Sequence, residues 1–300
     1  MEIISVTFSQ AFEGFKNYLF EKNRSINTIK SYGQDLRFFE SWLYNNIHSN
    51  PIMVQEITKT DIKDFEREIK AIPSLSPATI NRRLVAVKKW ADYLFISKFS
   101  PVNLGDEIEV KKVQKQNTIR WLTRQEVGRL LHAVEMTKHK NLQKGLLHET
   151  LIILLVNLGL RIDEACSLTK TSISFRNSIV NVTGKGNKHR IVPLTEKTKA
   201  HIQMWLENRD KDSDYILISS KSNQLSTRAA QHILKKYSTQ LGIEITPHSL
   251  RHTYCKQLAN SGVGLQSIAE LAGHSSMDTT RIYVTPSIKE LQMALKKTEF

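Results

Sequence analysis

Apolar residues recur in steps of three and four over most of this chain. Ile29, Tyr32, Leu36, Phe39 and Leu43 alternate those steps and predict one buried helix face. Ser76 followed by Pro77 reads as an N-cap with proline at the first helical position. Behind it, Ile80, Leu84, Val87, Ala91 and Leu94 form a second stripe. Arg82 and Lys89 point away from that stripe, and Arg83 and Lys88 flank it. Such a basic face is either a solvated helix surface or one laid against phosphates. Asp106 to Gln116 is polar and without period, which marks an interdomain linker. Beyond it, Thr123 and Glu126 have the spacing of a capping box, and Leu146 to Leu160 reads as a buried helix. Between Ile173 and Leu194 the period changes. Ile179–Thr183 and His189–Leu194 flank the turn Gly184-Lys185-Gly186-Asn187-Lys188, which predicts a hairpin. Helical patterns then resume to the end. The expected fold is mainly α: an N-terminal helical domain over 1–105, a linker over 106–116, and a mostly helical second domain over 117–300 with a small antiparallel sheet.

Composition narrows the class. Three hundred residues suit two domains. The longest apolar run, Leu151 to Val156, is far too short for a bilayer, and the first ten residues lack the pattern of a secretion signal. The two cysteines, Cys166 and Cys255, fall in segments that read as buried helix and make no disulfide framework, so a cytoplasmic protein is expected. The formal net charge is +14. Residues 1–116 hold 17 basic and 14 acidic side chains, or +3; residues 117–300 hold 26 and 15, or +11. A positive field of that size favours a polyanion, and nucleic acid is the usual one.

Four segments carry candidate chemistry. In Thr246-Pro-His-Ser-Leu-Arg-His, His248 and Arg251 share a helix face near its N-terminus, where backbone N–H groups also suit a phosphate. His252, four residues after His248, raises a metal reading, but no glutamate follows the first histidine and no third ligand is evident. Arg161 directly follows an apolar helix and a Gly-Leu pair, so it is either exposed or paired with an anion, and Glu164 is three residues on. Lys185 sits between two glycines at a hairpin tip, a simple turn or a lysine free to reach a phosphate or deliver a proton. In Leu271-Ala-Gly-His-Ser-Ser, Gly273 reads as a helix stop before His274, and Ser275 or Ser276 can cap the helix that carries Tyr283. A phenol is a poor nucleophile at neutral pH unless cations surround it.

Together these segments resemble the tyrosine recombinases, the family of lambda integrase, Cre and the bacterial Xer proteins. The carrying motifs are Gly-Leu-Arg-x-x-Glu at Arg161 and Glu164, the hairpin lysine Lys185, His-x-Leu-Arg-His at 248–252, and Leu-x-Gly-His at 271–274 with Tyr283 nine residues later. The resemblance covers the whole chain and is greatest to Xer proteins and small transposon-borne integrases or resolvases. It implies a helical, SAM-like core-binding domain followed by a catalytic domain, closing as a C-shaped clamp on DNA. It also implies a mechanism. Tyr283 attacks a backbone phosphorus, leaving a 3′-phosphotyrosine and a free 5′-hydroxyl. Arg161 and Arg251 clamp the non-bridging oxygens, His274 adds a hydrogen bond, and Lys185 protonates the departing oxygen. His248 is the expected proton acceptor, or else a donor to the phosphate, and Glu164 and His252 support the set. Arg82, Arg83, Lys88, Lys89, Lys188 and Arg190 are candidate DNA contacts. Neither a metal nor ATP nor another cofactor is called for.

The resemblance further implies four protomers, of one or two kinds, on double-stranded DNA with paired inverted half-sites, exchanging strands through a Holliday junction. Ile288, Leu291 and Leu295, followed by Lys296 and Lys297, form a terminal stripe that either packs on its own domain or is donated to a neighbour. The competing readings are a type IB topoisomerase and a non-catalytic DNA-binding protein of recombinase descent. The biological role can be chromosome dimer resolution or the resolution or integration of a mobile element.

Overall fold

The computed structural model describes residues 4–47, 50–110, 120–184, 188–274 and 277–284. The chain forms two compact units, Met1–Gln116 and Asn117–Phe300. The first is built from α1 (Phe8–Glu21), α2 (Ile26–Ile47), α3 (Lys59–Ala71) and α4 (Pro77–Ile96). Thr7, Thr58 and Ser76 cap α1, α3 and α4 through their hydroxyls, each satisfying an N–H that the helix leaves free. The predicted stripes of α2 and α4 face inward: Leu36, Phe39, Leu43, Leu84, Val87, Ala91 and Leu94 are all buried. They close on an aromatic centre, with the Phe8 and Trp90 rings 4.6 Å apart and those of Phe39 and Phe65 4.7 Å apart.

The basic side chains of α4 are less free than their spacing suggests. Arg82 bonds Ser31 and the buried Asp35. The Arg83 guanidinium lies 3.7 Å over the Phe38 ring, and Lys88 donates to the Ile108 carbonyl at 3.0 Å. Flanking an apolar stripe brings a long side chain within reach of the core edge, where its stem and planar head pack. Arg83 and Lys88 therefore serve the domain itself, while Lys89 is exposed beside Asp92.

The predicted linker also begins too early. Leu104–Glu107 is a 3-10 turn, Leu104 and Ile108 are buried in the first core, and Glu107 pairs with Lys59 and Lys63. One buried isoleucine in an otherwise polar stretch has no period by which to be noticed. Residues 111–119 of that linker lie outside the described residues.

The second unit comprises α5 (Arg124–Lys140), α6 (Leu142–Val156), α7 (Ile162–Ser167), β1 (Ile173–Ser174), β2 (Ile179–Thr183), β3 (His189–Pro193), α8 (Glu196–Asn208), α9 (Thr227–Leu241), α10 (Pro247–Asn260), α11 (Leu265–Ala272) and α12 (Asp278–Val284). Helix α6 is the hub, buried on nearly all sides and packed against α5, α8 and α10. Its one buried histidine is satisfied: His148 Nδ1 lies 2.8 Å from the Tyr237 hydroxyl, which donates to Thr137 at 3.0 Å. The sheet has the order β1-β2-β3, all antiparallel, with Val180 opposite Val192. Strand β1 has two residues, too few to carry a period. A second, smaller core of Tyr254, Cys255, Ile268, Ala272 and Tyr283 joins α10, α11 and α12. Among the described residues no helix is long and apolar enough to cross a membrane. The terminal stripe of Ile288, Leu291, Leu295, Lys296 and Lys297 lies outside the described residues.

Candidate active site

Two glycines shape the site before any charged group enters it. Gly159 ends the segment after α6 with φ +59°, and Gly273 ends α11 with φ +65°. Both angles are left-handed, a region that side-chain-bearing residues rarely enter. A Cβ on Gly159 would strike the Tyr254 ring, and one on Gly273 would stand 3.0 Å from Arg190 Nη1. The turned carbonyls each hold an arginine. Gly159 accepts from Arg251 Nη1 at 2.5 Å, and Gly273 accepts from Arg161 Nη2 at 2.6 Å. Arg251 also donates to the Ala272 carbonyl.

A single carboxylate organises the cations. Glu164 on α7 accepts from the Arg161 backbone N–H at 2.7 Å and from Arg161 Nη1 at 2.8 Å. Arg190 on β3 grips the same carboxylate with both terminal nitrogens, at 2.8 and 2.7 Å. Arg251 Nη1 stands 4.0 Å from it. Burial acts to raise the Glu164 pKa, but the hydrogen bonds from Arg190 and Arg161 outweigh it and hold the carboxyl at about 2. Burial, with Arg161 nearby, brings Arg251 down to about 10, which leaves it charged at neutral pH. Three guanidinium groups therefore surround one carboxylate, an excess of two positive charges beside the second core. Arg251 is buried, whereas the Arg161 side chain is 37% exposed.

The phenol lies in the second, smaller core, where Arg251 acts on it. Tyr283 is fully buried, and its hydroxyl bonds His252 Nδ1. The His274 ring stacks on it at 6.2 Å, with His274 Nδ1 2.8 Å from Thr280 Oγ1. The His248 and His252 rings stand 6.3 Å apart. The histidine that touches the phenol is thus His252 rather than His248. The phenol's acidity also differs from expectation. Burial, with Cys255 adjacent, raises the Tyr283 pKa, and Arg251 only partly opposes this. Arg251 acts on the phenol but does not make it acidic in this arrangement, because desolvation penalises the phenolate more than that charge favours it.

Three histidines have lowered pKa values, His252 and His274 beside the phenol and His148 in α6 against Tyr237. Burial first, then Lys144 and Lys236 for His148, His248 and Arg251 for His252, and Arg251 and Arg161 for His274, lowers these three from 6.5 to about 4. Each is neutral in the fold at pH 5, whereas the unfolded chain takes up the proton below 6.5. Stability is therefore lost as pH falls from 6.5 to 4, by about 1–2 kcal/mol per histidine at pH 5. The depressed Glu164 carboxyl adds stability above 4.5 that fades between 4.5 and 2. Thermal melts from pH 7 to 4 are expected to show a steady fall in Tm. A flat profile down to pH 4.5 would mean that the imidazoles take up protons without unfolding.

Arg161, Glu164, His248, Arg251, His252, His274 and Tyr283 are thus brought together from α7, α10, α12 and the end of α11. Lys185 lies outside the described residues, as do Ser275 and Ser276. The foot of the Lys185 turn is in place, however: a Cβ on Gly184 would be 3.3 Å from Glu164 Oε1. Lys188 is exposed. Arg190, expected at DNA, faces inward instead. Its side chain is 8% exposed, and Nε donates to the Leu271 carbonyl at 3.0 Å. The pairing of a strand residue with a carboxylate 26 positions earlier has no sequence signature. An exposed basic face on α9 belongs to no motif in the sequence. Arg228, His232 and Lys235 lie at steps of four and three and line an open hollow with Ser226, Ala229 and Gln231.

Residues 120–290 match the phage integrase family, and residues 12–98 match the phage integrase N-terminal SAM-like domain. The chain belongs to the phage integrase family. It is 30% identical over 298 residues to the tyrosine recombinase XerA of Thermococcus kodakarensis, covering 97% of this chain and 96% of that protein. The XerA of Pyrococcus furiosus is 29% identical over 294 residues, covering 96% and 94%. The fold is similar to that of the Tn1549 transposon integrase in complex with circular intermediate DNA, with a TM-score of 0.72 at 20% identity, covering 98% of this chain and all of that one. It is also similar to the XerH site-specific recombinase bound to palindromic difH substrate, with a TM-score of 0.73 at 19% identity, covering 91% and 80%. This tyrosine recombinase is accordingly an enzyme of site-specific DNA recombination, and neither a topoisomerase nor a non-catalytic binder is favoured among its relatives.

Proposed function

We propose that this recombinase breaks and rejoins DNA by attack of Tyr283 on a backbone phosphorus, forming a 3′-phosphotyrosine. The observation that carries the reading is the excess of two positive charges around Glu164, with one of those cations, Arg251, acting on the buried phenol. Such an excess suits a phosphodiester, whose non-bridging oxygens gain charge in the transition state. Arg161 and Arg251 supply forked, permanently charged donors to those oxygens. His274 supplies a hydrogen bond, and a general acid such as Lys185 completes departure of the 5′-oxygen. The neutral His252 already shares a hydrogen bond with the phenol through Nδ1 and is the nearest base, with His248 next to it. No external energy source is needed, because the phosphotyrosine conserves the diester bond. Burial of the phenol implies that α12 shifts when DNA engages, and the shift would relieve the desolvation that raises its pKa.

The exposed cations of α9, with Lys188, supply further backbone contacts. Family membership supports assembly of four protomers on paired inverted half-sites, and the two buried free thiols suit a reducing cytoplasm. Incubation with a duplex nicked beside the cleavage position, so that the 5′-hydroxyl fragment diffuses away, is expected to trap a covalent adduct. Peptide mapping should place the linkage on Tyr283, and the Arg228→Ala/Lys235→Ala variant should bind less duplex while cleaving what it binds at an unchanged rate. An adduct on another residue would overturn the reading.

A further inference from the structure

Resting on that reading, we propose that Arg190 is a positioning residue that sets Arg161 for catalysis through Glu164. The geometry gives it no other occupation. Both terminal nitrogens of Arg190 are committed to Glu164, and Nε is committed to the Leu271 carbonyl. With 8% of its side chain exposed, it does not reach a ligand. What it touches is instructive. Glu164 is the carboxylate that fixes Arg161 at both its backbone N–H and its guanidinium. Leu271 belongs to the last turn of α11, two residues before Gly273, whose carbonyl holds the other side of Arg161. Arg190 thus braces both anchors of Arg161, from β3 on one side and α11 on the other.

The fork of Arg190 keeps the two carboxylate oxygens oriented so that one faces Arg161 Nη1 and the other its backbone N–H. Without the fork, the Glu164 carboxyl is held by hydrogen bonds from Arg161 alone, and Arg161 loses precision of aim while keeping its charge. Gly273 belongs to the same device, since a Cβ there would crowd Arg190 Nη1 at 3.0 Å. A lysine in place of Arg190 can hold one oxygen but not both. Misplacing a catalytic group by about 1 Å costs on the order of 10²-fold in rate.

The test uses full-length protein and a nicked duplex with sulfur at the 5′-bridging position. The better leaving group keeps slow variants measurable. Arg190→Met is expected to bind the duplex within about twofold of the parent and to form the adduct about 10²-fold more slowly, with Arg190→Lys in between. The deciding measurement is the same substitution placed in an Arg161→Ala background. If Arg190 acts through Arg161, Arg190→Met has little further effect there. If the two losses multiply, or if Arg190→Met cleaves at the parent rate, the proposal is overturned. Should Arg190→Met fail to fold, Arg190→Lys and Glu164→Gln carry the same comparison. Absence of any adduct with the parent protein would instead overturn the assignment of Tyr283.

Discussion

Tyr283→Phe is expected to remove covalent adduct formation on a nicked duplex entirely, a loss on the order of 10⁴-fold or more, while leaving duplex binding within about twofold. The substitution is nearly isosteric. The ring keeps its packing against Cys255, Ile268 and Ala272 and its stacking on His274. What disappears is the hydroxyl and its hydrogen bond to His252. That bond is worth about 1 kcal/mol, or a few degrees in Tm for a unit of this size, so the variant should fold. Gel-resolved adduct yield beside a binding titration separates the two effects. An adduct of parental yield in Tyr283→Phe would move the nucleophile elsewhere.

Arg251→Ala carries the second large effect, and it acts on both stability and rate. Arg251 is buried and holds the carbonyls of Gly159 and Ala272, the residue beside each left-handed turn or the turn itself. Removing it orphans two buried acceptors, at about 1–3 kcal/mol each, and the second unit should melt about 10 °C lower. Removing a forked donor from a developing negative charge costs on the order of 10²–10³-fold in addition. Arg251→Lys separates these contributions. It keeps the charge and one carbonyl contact, so much of the Tm returns, but it cannot fork, and cleavage should stay on the order of 10²-fold below the parent. Single-turnover adduct rates and thermal melts on the two variants decide the matter. A parental cleavage rate in Arg251→Lys would remove the clamp from the mechanism.

Features written within one element were legible in the residues themselves. The stripes through Leu36 and Leu84, the caps at Ser76, Thr123 and Thr246, and the hairpin strands follow from periods and spacings of a few residues, which local backbone geometry enforces. So does the stop at Gly273, because only glycine enters the left-handed region at little cost. Ile108 and strand β1 escaped because one buried residue, or two, has no period.

The sequence by itself determined which chemical groups are available and which short motifs present them: two arginines, three histidines, a carboxylate and a phenol, each on a helix or turn whose signals are local. Tertiary structure decided how they are used. Arg190 turned inward because Glu164, 26 residues before it, offered a buried carboxylate that only packing brings near. His252 rather than His248 met the phenol because of where α12 docks on α10. Burial in that docked position, and not the number of nearby cations, set the acidity of Tyr283, since the cost of desolvating a charge depends on what surrounds it in space and on nothing that spacing along a chain can express.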